Sequence, residues 1–238
     1  MAELKLKSLD DMRCELVAHT LIRTPDEYEE GSFWYDMADT MPVSAARVSH
    51  GKEDKTGDDP DKDLKLMRYL AEHKHFSPFE HQSATFLVEA PLYVAREWMR
   101  HRVQSYNEIS MRYTSDPSDT YYIPETFRAQ ATKNKQSSAG AIEDQELAER
   151  HYVSAIREAV AGYEHLLAAG VAREIARGVL PTSMVTRFFA SANLRNWAHW
   201  YHLRSAPDAQ LEIRHYAHKV DAELRKLWPQ SWSVVIGE

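Results

Sequence analysis

Residues 91–113 read Pro-Leu-Tyr-Val-Ala-Arg-Glu-Trp-Met-Arg-His-Arg-Val-Gln-Ser-Tyr-Asn-Glu-Ile-Ser-Met-Arg-Tyr, and the rest of the chain is interpreted outward from this stretch. Its first half predicts a helix, because proline suits a first helical turn and apolar residues recur at helical spacing, at Leu92, Ala95, Trp98 and Met99. The helix is expected to end in Arg-His-Arg at 100–102. A polar loop is expected to follow it.

The polar part of this stretch indicates an anion site. Arg96 and Arg100 are four residues apart and so project from the same helical stripe. Arginine suits an anion site because its planar fork grips phosphate at two points and stays charged. A simpler interpretation remains open for Arg-His-Arg alone. It could be a solvated helix end whose arginines interact favourably with the negative end of the helix dipole.

The complete string is more specific than its arginines. Arg100-His101-Arg102, followed by Asn107, Glu108, Ser110, Arg112 and Tyr113, resembles the signature of flavin-dependent thymidylate synthases. Those enzymes methylate deoxyuridine monophosphate (dUMP) with FAD, NADPH and methylenetetrahydrofolate. Residues 45–49, 75–81 and 172–213 also resemble segments of that family, in the same order and spacing.

The resemblance implies roles for individual residues. Arg204 would be the catalytic residue, holding its guanidinium against the uracil ring as negative charge develops there. The expected substrate-binding residues are Glu97, Arg100, Glu108, Ser110, Met111, Arg112, Arg177 and Arg204. The expected cofactor-binding residues are Ser49, Ser77, Glu80, Arg100, His101, Arg102, Glu108, Asn193, Arg195 and His199.

Two positions depart from the family pattern. Glu97 stands where many relatives have glutamine, and a carboxylate cannot donate a hydrogen bond to phosphate, so Glu97 is expected to orient Arg100 or His101. Met111 occupies a position that is small or polar in several relatives. Ser110 is interpreted as a ligand-binding residue and not as a nucleophile, because no adjacent base is in view except Glu108.

Composition sets the class of protein. The 238 residues carry a net charge of −7, which disfavours general attraction to nucleic acid. Apolar runs are too short for a membrane span, and the first residues lack a signal core. The single cysteine, Cys14, excludes an internal disulfide, favours the cytoplasm and is interpreted as structural.

Hydrophobic periodicity predicts both strands and helices. Strands are expected at 12–22, 84–88 and 121–124, and helices at 33–49 (interrupted at Pro42), 64–71, 144–170, 172–181, 193–204 and 208–227. Residues 50–63 are expected to form a charged connection and 128–143 a candidate mobile loop. The resemblance implies an α+β fold, with helices packed on an antiparallel sheet in a single domain over residues 1–238. It also implies a homotetramer whose sites are shared between subunits.

Two other functions are compatible with parts of the sequence. A metal-dependent hydrolase could use His73, His75 and His81, but their spacing matches no zinc motif and no metal is expected. An RNA-binding module could use the arginine loop, but the acidic net charge opposes RNA binding.

Three local interpretations are structural. Ser77 before Pro78 is a possible N-cap, and Glu174 with Arg177 is a possible intrahelical ion pair. His215 and His218 are interpreted as surface residues.

Overall fold

A computed structural model describes residues 4–20, 38–52, 55–114, 119–132 and 137–238. Its centre is a sheet of four strands, β2 (Cys14–His19), β3 (Ser83–Pro91), β4 (Ser105–Glu108) and β8 (Val185–Asn193), in the order β2-β3-β8-β4. Each adjacent pair is antiparallel. With helices packed on one face, this is the α+β fold expected from the sequence.

Strands β3 and β8 form the frame of the sheet. They pair over nine residues, from Ser83 opposite Asn193 to Pro91 opposite Val185. Alternate residues of each strand face the core, because side chains on a strand alternate between faces. The buried set is Ala84, Phe86, Val88 and Ala90 on β3, and Thr186, Phe188, Ala190 and Ala192 on β8.

Four helices cover that face: α3 (Leu92–Trp98), α6 (Leu194–Arg204), α7 (Leu211–Leu227) and α8 (Pro229–Ile236). They contribute four fully buried tryptophans, Trp98, Trp197, Trp200 and Trp232, and a fifth, Trp228, lies between α7 and α8. Burial of a large apolar side chain contributes about 1.5–3 kcal/mol relative to exposure, so these rings are a main source of stability.

The remaining helices lie around this core. They are α1 (Met41–Val48), α2 (Pro60–Glu72), α4 (Gln145–Ala168) and α5 (Arg173–Ala176). Asp144 caps α4 by accepting from the Leu147 N–H at 2.9 Å, and Gly170 follows the helix with a φ of +85°, as expected for its end. Helix α4 buries Ile156, Val160 and Tyr163 in a second apolar cluster.

Two short pairings complete the described structure. Strands β1 (Lys5–Lys7) and β5 (Thr120–Tyr122) are parallel, and β6 (Arg128–Gln130) and β7 (Ser138–Ala141) are antiparallel. The interpretation of 128–143 as a loop therefore needs correction, although residues 133–136 lie outside the described part. Arg128 ties this pair of strands to the core through a 2.6 Å ion pair with the buried Glu212.

Several local predictions were wrong at element boundaries. Helix α2 begins at Pro60, inside the expected 50–63 connection, because Asp59 accepts from the Lys62 N–H. Pro42 lies in the first turn of α1 and does not interrupt it; residues 33–37 of that predicted helix lie outside the described ranges. Ser77 makes no side-chain cap and begins a 3₁₀ turn over Ser77–Glu80.

Two elements were not predicted at all. Strand β8, central to the sheet, spans Val185–Asn193, whereas no element was expected over 182–192. Helix α8 follows the helix expected to be last. Both are rich in buried apolar residues, and a short apolar run does not by itself distinguish a strand from a helix.

Within the described ranges, no helix is both long and apolar enough to cross a membrane.

Candidate active site

Residues 91–113 fold differently from the prediction. Helix α3 ends at Trp98, with Met99 as its C-cap, and Pro91 is the last residue of β3. Arg100-His101-Arg102 thus lies in the turn after the helix, and 105–108 forms β4 in place of a loop. The chain turns here because Trp98 and Tyr106 both bond to Gln104 Oε1, from Nε1 at 3.1 Å and from the hydroxyl at 3.0 Å.

His101 points inward from that turn. Its side chain is buried, its ring lies 5.6 Å from the ring of His199, and its Nε2 has no hydrogen-bond partner among the described residues. Burial, with smaller contributions from Arg204 and His199, lowers the pKa of His101 to about 4. His101 is therefore neutral at neutral pH.

One group of expected substrate residues lines a cavity of about 500 Å³, here called the Ser110 cavity. Its lining includes Glu108 and Ser110 at the end of β4 and Arg177 in the 3₁₀ turn after α5. The remaining lining residues are Leu92, Ile109, Met111, Gly178, Leu180, Met184 and Thr186. Thr186 donates to Glu108 Oε1 at 2.6 Å and so orients that carboxylate.

Arg112 is oriented by a residue that sequence reasoning had paired elsewhere. Its Nη2 lies 3.5 Å from Glu174 Oε2, so Glu174 pairs with Arg112 in place of the expected Arg177. Both side chains are more than half exposed, and such a pair contributes at most about 1 kcal/mol. An anionic ligand can therefore displace Glu174 at little cost.

Glu97 and Arg204 form a closer pair. Arg204 Nη1 donates to Glu97 Oε1 at 2.7 Å, and its Nη2 donates to the Glu97 carbonyl at 3.0 Å. Both side chains are largely buried. Burial raises the pKa of Glu97, and the Arg204 charge opposes that rise. The expectation that Glu97 orients Arg100 or His101 thus needs correction, because its carboxylate holds Arg204.

A second group of expected residues lines a cavity of about 620 Å³, the Asn193 cavity. Asn193 caps α6 by accepting from the Asn196 N–H at 2.9 Å, as expected. Arg195 is held from two sides, by an ion pair with Glu80 and by the Phe76 ring, whose centroid lies 5.4 Å from its guanidinium carbon. The lining is Phe76, Glu80, Val103, Asn193, Arg195, Asn196, Ala198, His199, His202 and Val235.

The two cavities lie at opposite ends of β8. Thr186 lines one and Asn193 the other, seven residues further along the strand. At about 3.3 Å per residue, that distance is about 23 Å. One chain therefore does not bring the two groups of residues together.

Other expected site residues have less defined surroundings. Ser49 is the C-cap of α1, and Ser77 begins the turn that carries Glu80. Several expected site residues line neither of the two cavities, namely these serines, Glu97, Arg100, His101, Arg102, Arg112 and Arg204. Met111 lines the Ser110 cavity and is itself buried, packing against the second apolar cluster.

The other chemical candidates are weak. No set of three His, Cys, Asp or Glu residues in the described ranges is placed to hold a metal ion. Burial raises the pKa of the Cys14 thiol to about 12, which keeps it protonated and unreactive at neutral pH. His218 is exposed as expected, whereas His215 is partly buried and lies 3.7 Å from Asp10.

Sequence reasoning missed several lining residues. Thr186 and Met184 belong to the undetected strand β8 and the residues before it, and Phe76 was not given a role although its neighbours were. The proximity of Phe76 to Arg195 arises from tertiary folding and has no signal in the sequence. The alternation of apolar residues over 185–193 was the signal that could have predicted strand β8.

Arginines suited to an anion at one end of a central antiparallel strand, and a cationic and aromatic cavity at the other, define a nucleotide-binding α+β protein. Residues 34–230 match the model of a family described as "Thymidylate synthase complementing protein". The chain belongs to the flavin-dependent thymidylate synthase family.

Individual relatives agree with this assignment. A flavin-dependent thymidylate synthase of Thermus thermophilus is 46% identical over 196 residues, covering 82% of this chain and 70% of that protein. One from Streptomyces avermitilis is 35% identical over 246 residues, covering 97% and 93%. The crystal structure of the UMP/dUMP methylase PolB from Streptomyces cacaoi, bound with 5-Br dUMP, matches with a TM-score of 0.82 and 32% identity over 97% of this chain and 96% of that one.

Proposed function

We propose that this protein is a flavin-dependent thymidylate synthase that methylates dUMP to dTMP. Methylenetetrahydrofolate would be the carbon donor, and FAD reduced by NADPH would supply the hydride. The observation that supports this proposal best is the family match over most of the chain. Part of the residues that the family resemblance indicates also line two cavities, Glu108, Ser110 and Arg177 in one and Glu80, Asn193, Arg195 and His199 in the other.

The Ser110 cavity suits the nucleotide. Arg177 lines it and Arg112 follows Ser110 by two residues, so both guanidinium groups are available for a phosphate. Glu108, oriented by Thr186, and the Ser110 hydroxyl supply hydrogen bonds for sugar and base. In this proposal these residues bind the substrate, and Ser110 does not act as a nucleophile.

Arg204 is proposed as the residue that activates the base. Uracil becomes nucleophilic at C5 only when negative charge develops on its ring, and a fixed guanidinium stabilises that charge at no cost of reorganisation. The pair with Glu97 fixes the orientation of the Arg204 guanidinium. This interaction is strongest in the transition state and so would contribute to kcat.

The Asn193 cavity suits part of the flavin cofactor. Its volume of about 620 Å³ is that of a ligand site. Arg195 offers donors to a phosphate or ring carbonyl, and the neutral His101 next to His199 has an unpaired Nε2. The bound flavin would supply redox chemistry, while these residues orient it; Ser49, Ser77, Glu80, Arg100 and Arg102 are proposed to complete that site.

The distance between the cavities supports a shared site. Hydride transfer requires flavin and uracil in contact, yet the two sets of residues lie about 23 Å apart along β8 in one chain. We therefore propose a homotetramer of single-domain subunits, in which one subunit's Asn193 cavity meets another's Ser110 cavity. A cytoplasmic location is also proposed, since the lone cysteine gives no sign of an oxidising compartment.

The test is direct. Purified protein should be yellow or take up FAD at about one per chain, and with NADPH, methylenetetrahydrofolate and dUMP it should form dTMP. A folded protein that neither binds FAD nor forms dTMP would overturn the proposal. Cys14→Ala is the matched control, because an enzyme of this class should retain activity without the thiol.

A further inference from the structure

We propose that Glu97 is a positioning residue for Arg204, fixing the plane of its guanidinium through two hydrogen bonds and acting on the reaction only through that group. This inference rests on the function proposed for Arg204. It assigns to Glu97 a role other than contact with the nucleotide.

The geometry supports this role from two directions. One residue, Glu97, accepts from both terminal nitrogens of Arg204, through its side chain at 2.7 Å and its carbonyl at 3.0 Å. Two acceptors on one side of a planar fork fix its orientation, whereas a single acceptor leaves it free to rotate. The remaining N–H groups are left for a ligand, and Nε is buried without a partner among the described residues.

The location of Glu97 makes the pair rigid. Helix α3, which carries Glu97, packs through Trp98 on the Trp200 ring of α6, the helix that ends in Arg204. The two ring centroids are 4.3 Å apart. The ion pair therefore joins two helices already held together by the core, and little side-chain entropy is lost when a substrate arrives.

The charge of Glu97 also has a consequence. A carboxylate beside the guanidinium holds it more strongly than the neutral glutamine that the family pattern leads one to expect, because charge-assisted hydrogen bonds are about twice as strong. That hold depends on the carboxylate remaining ionised. The charged groups that act on Glu97 are Arg204 on α6, Glu212 on α7 and Arg100 after α3. Arg204 also acts on His101, which in turn is close to His199.

The experiment compares Glu97→Ala, Glu97→Gln, Arg204→Ala and the double variant Glu97→Ala/Arg204→Ala, each loaded with FAD. We expect Glu97→Ala to lower kcat by roughly tenfold with less than about a threefold change in the KM for dUMP, as for an interaction made in the transition state. Glu97→Gln keeps an acceptor oxygen but lacks the charge, so it should recover kcat only in part at neutral pH, to about the level that the wild type reaches when Glu97 is protonated. In the Arg204→Ala background, Glu97→Ala should have no further effect.

The pH profile provides a second readout. Because burial raises the pKa of Glu97, protonation should weaken the pair as the pH falls toward that pKa, and wild-type kcat should decline there. Glu97→Gln should lack this acidic limb. Glu89→Gln is the matched control: Glu89 forms a 2.8 Å pair with Lys7, is also largely buried and lies outside both cavities, so its loss should affect stability and leave kcat unchanged.

The outcomes separate the two proposals. If Arg204→Ala lowers kcat but Glu97→Ala does not, or if the two effects multiply, Glu97 does not act through Arg204. If Arg204→Ala leaves kcat unchanged, the role proposed for Arg204 is wrong, and the role of Glu97 fails with it. A fall in melting temperature for Glu97→Ala with unchanged kcat would show a purely structural pair.

Discussion

The two ends of strand β8 hold their functional side chains in different ways. At the Asn193 end, Arg195 is fixed between Glu80 and the Phe76 ring, and Asn193 is bonded to its own helix. At the Ser110 end, Arg112 is more than half exposed and lies 3.5 Å from an equally exposed Glu174. Arg195, itself about half exposed, is held more closely than Arg112, whose ion pair is longer and whose guanidinium carbon lies 6.0 Å from the Tyr113 ring centroid.

Loss of the phosphate-binding arginine should have the largest effect. Arg177→Ala should raise the KM for dUMP by roughly ten- to a hundredfold, because a hydrogen bond to a charged group contributes about 1.5–3 kcal/mol. FAD binding should be unchanged, since Arg177 lines the Ser110 cavity, whose Thr186 lies about 23 Å from Asn193 of the other cavity along β8. Steady-state kinetics in dUMP, beside flavin absorbance, measures both; weakened FAD binding would contradict the separation of the two ends.

Mixed assemblies provide the next test. Arg195→Ala should impair the Asn193 end and Arg177→Ala the Ser110 end, and each variant alone should be nearly inactive at low dUMP. If sites are shared between two subunits, co-refolding the variants should restore about a quarter of the sites, since a closed symmetric assembly repeats one interface. Mixing without refolding is the control, and no gain after refolding would place both ends of a site in one chain.

The Asn193 end should affect the pH dependence of stability through His101, whose ring lies 5.6 Å from the ring of His199. The pKa of His101 is lowered to about 4 in the fold, against about 6.5 in the unfolded chain. The unfolded state therefore binds the extra proton first, so the stabilisation is present above pH 6.5 and is lost as the pH falls from 6.5 toward 4. The loss should be on the order of 3 kcal/mol, because each pKa unit corresponds to about 1.4 kcal/mol.

Urea denaturation across that pH range measures the slope. His101→Gln should reduce the pH dependence, whereas His218→Gln, at an exposed histidine, should leave it as in the wild type. Equal slopes for His101→Gln and the wild type would show that His101 is not the residue that carries this dependence.

The smallest expected effect concerns the Ser110 end. Glu174→Gln removes the charge that competes for Arg112, so the KM for dUMP should fall by about twofold at low salt, the scale of an exposed ion pair. The difference should vanish at high salt, because salt screens exposed charges. Glu149→Gln, on the exposed side of α4, is a control for net charge, and an equal fall in KM there would point to general electrostatics.

Some of the structure could be predicted because its cause is local. Asp144 and Gly170 bound α4 through a cap and a positive φ, and Asn193 caps α6, all within a few residues of the chain. Of the substrate-binding residues that the motif at 100–113 predicts, Glu108, Ser110 and Met111 line the Ser110 cavity, whereas Arg100 and Arg112 do not. Strand β8 escaped prediction because its pairing partners are β3 and β4, whose nearest residues are far away in sequence.

The sequence by itself determined the family, the helix caps and the types of side chain available to an anionic ligand, because these depend on neighbouring residues and on motif spacing. Only the tertiary structure decided that helix α3 stops at Trp98, that Glu97 holds Arg204 across 107 residues, and that the two cavities lie at opposite ends of one strand. Contacts of that kind depend on how helices and strands pack together, and packing brings together residues whose separation in the chain carries no periodic signal.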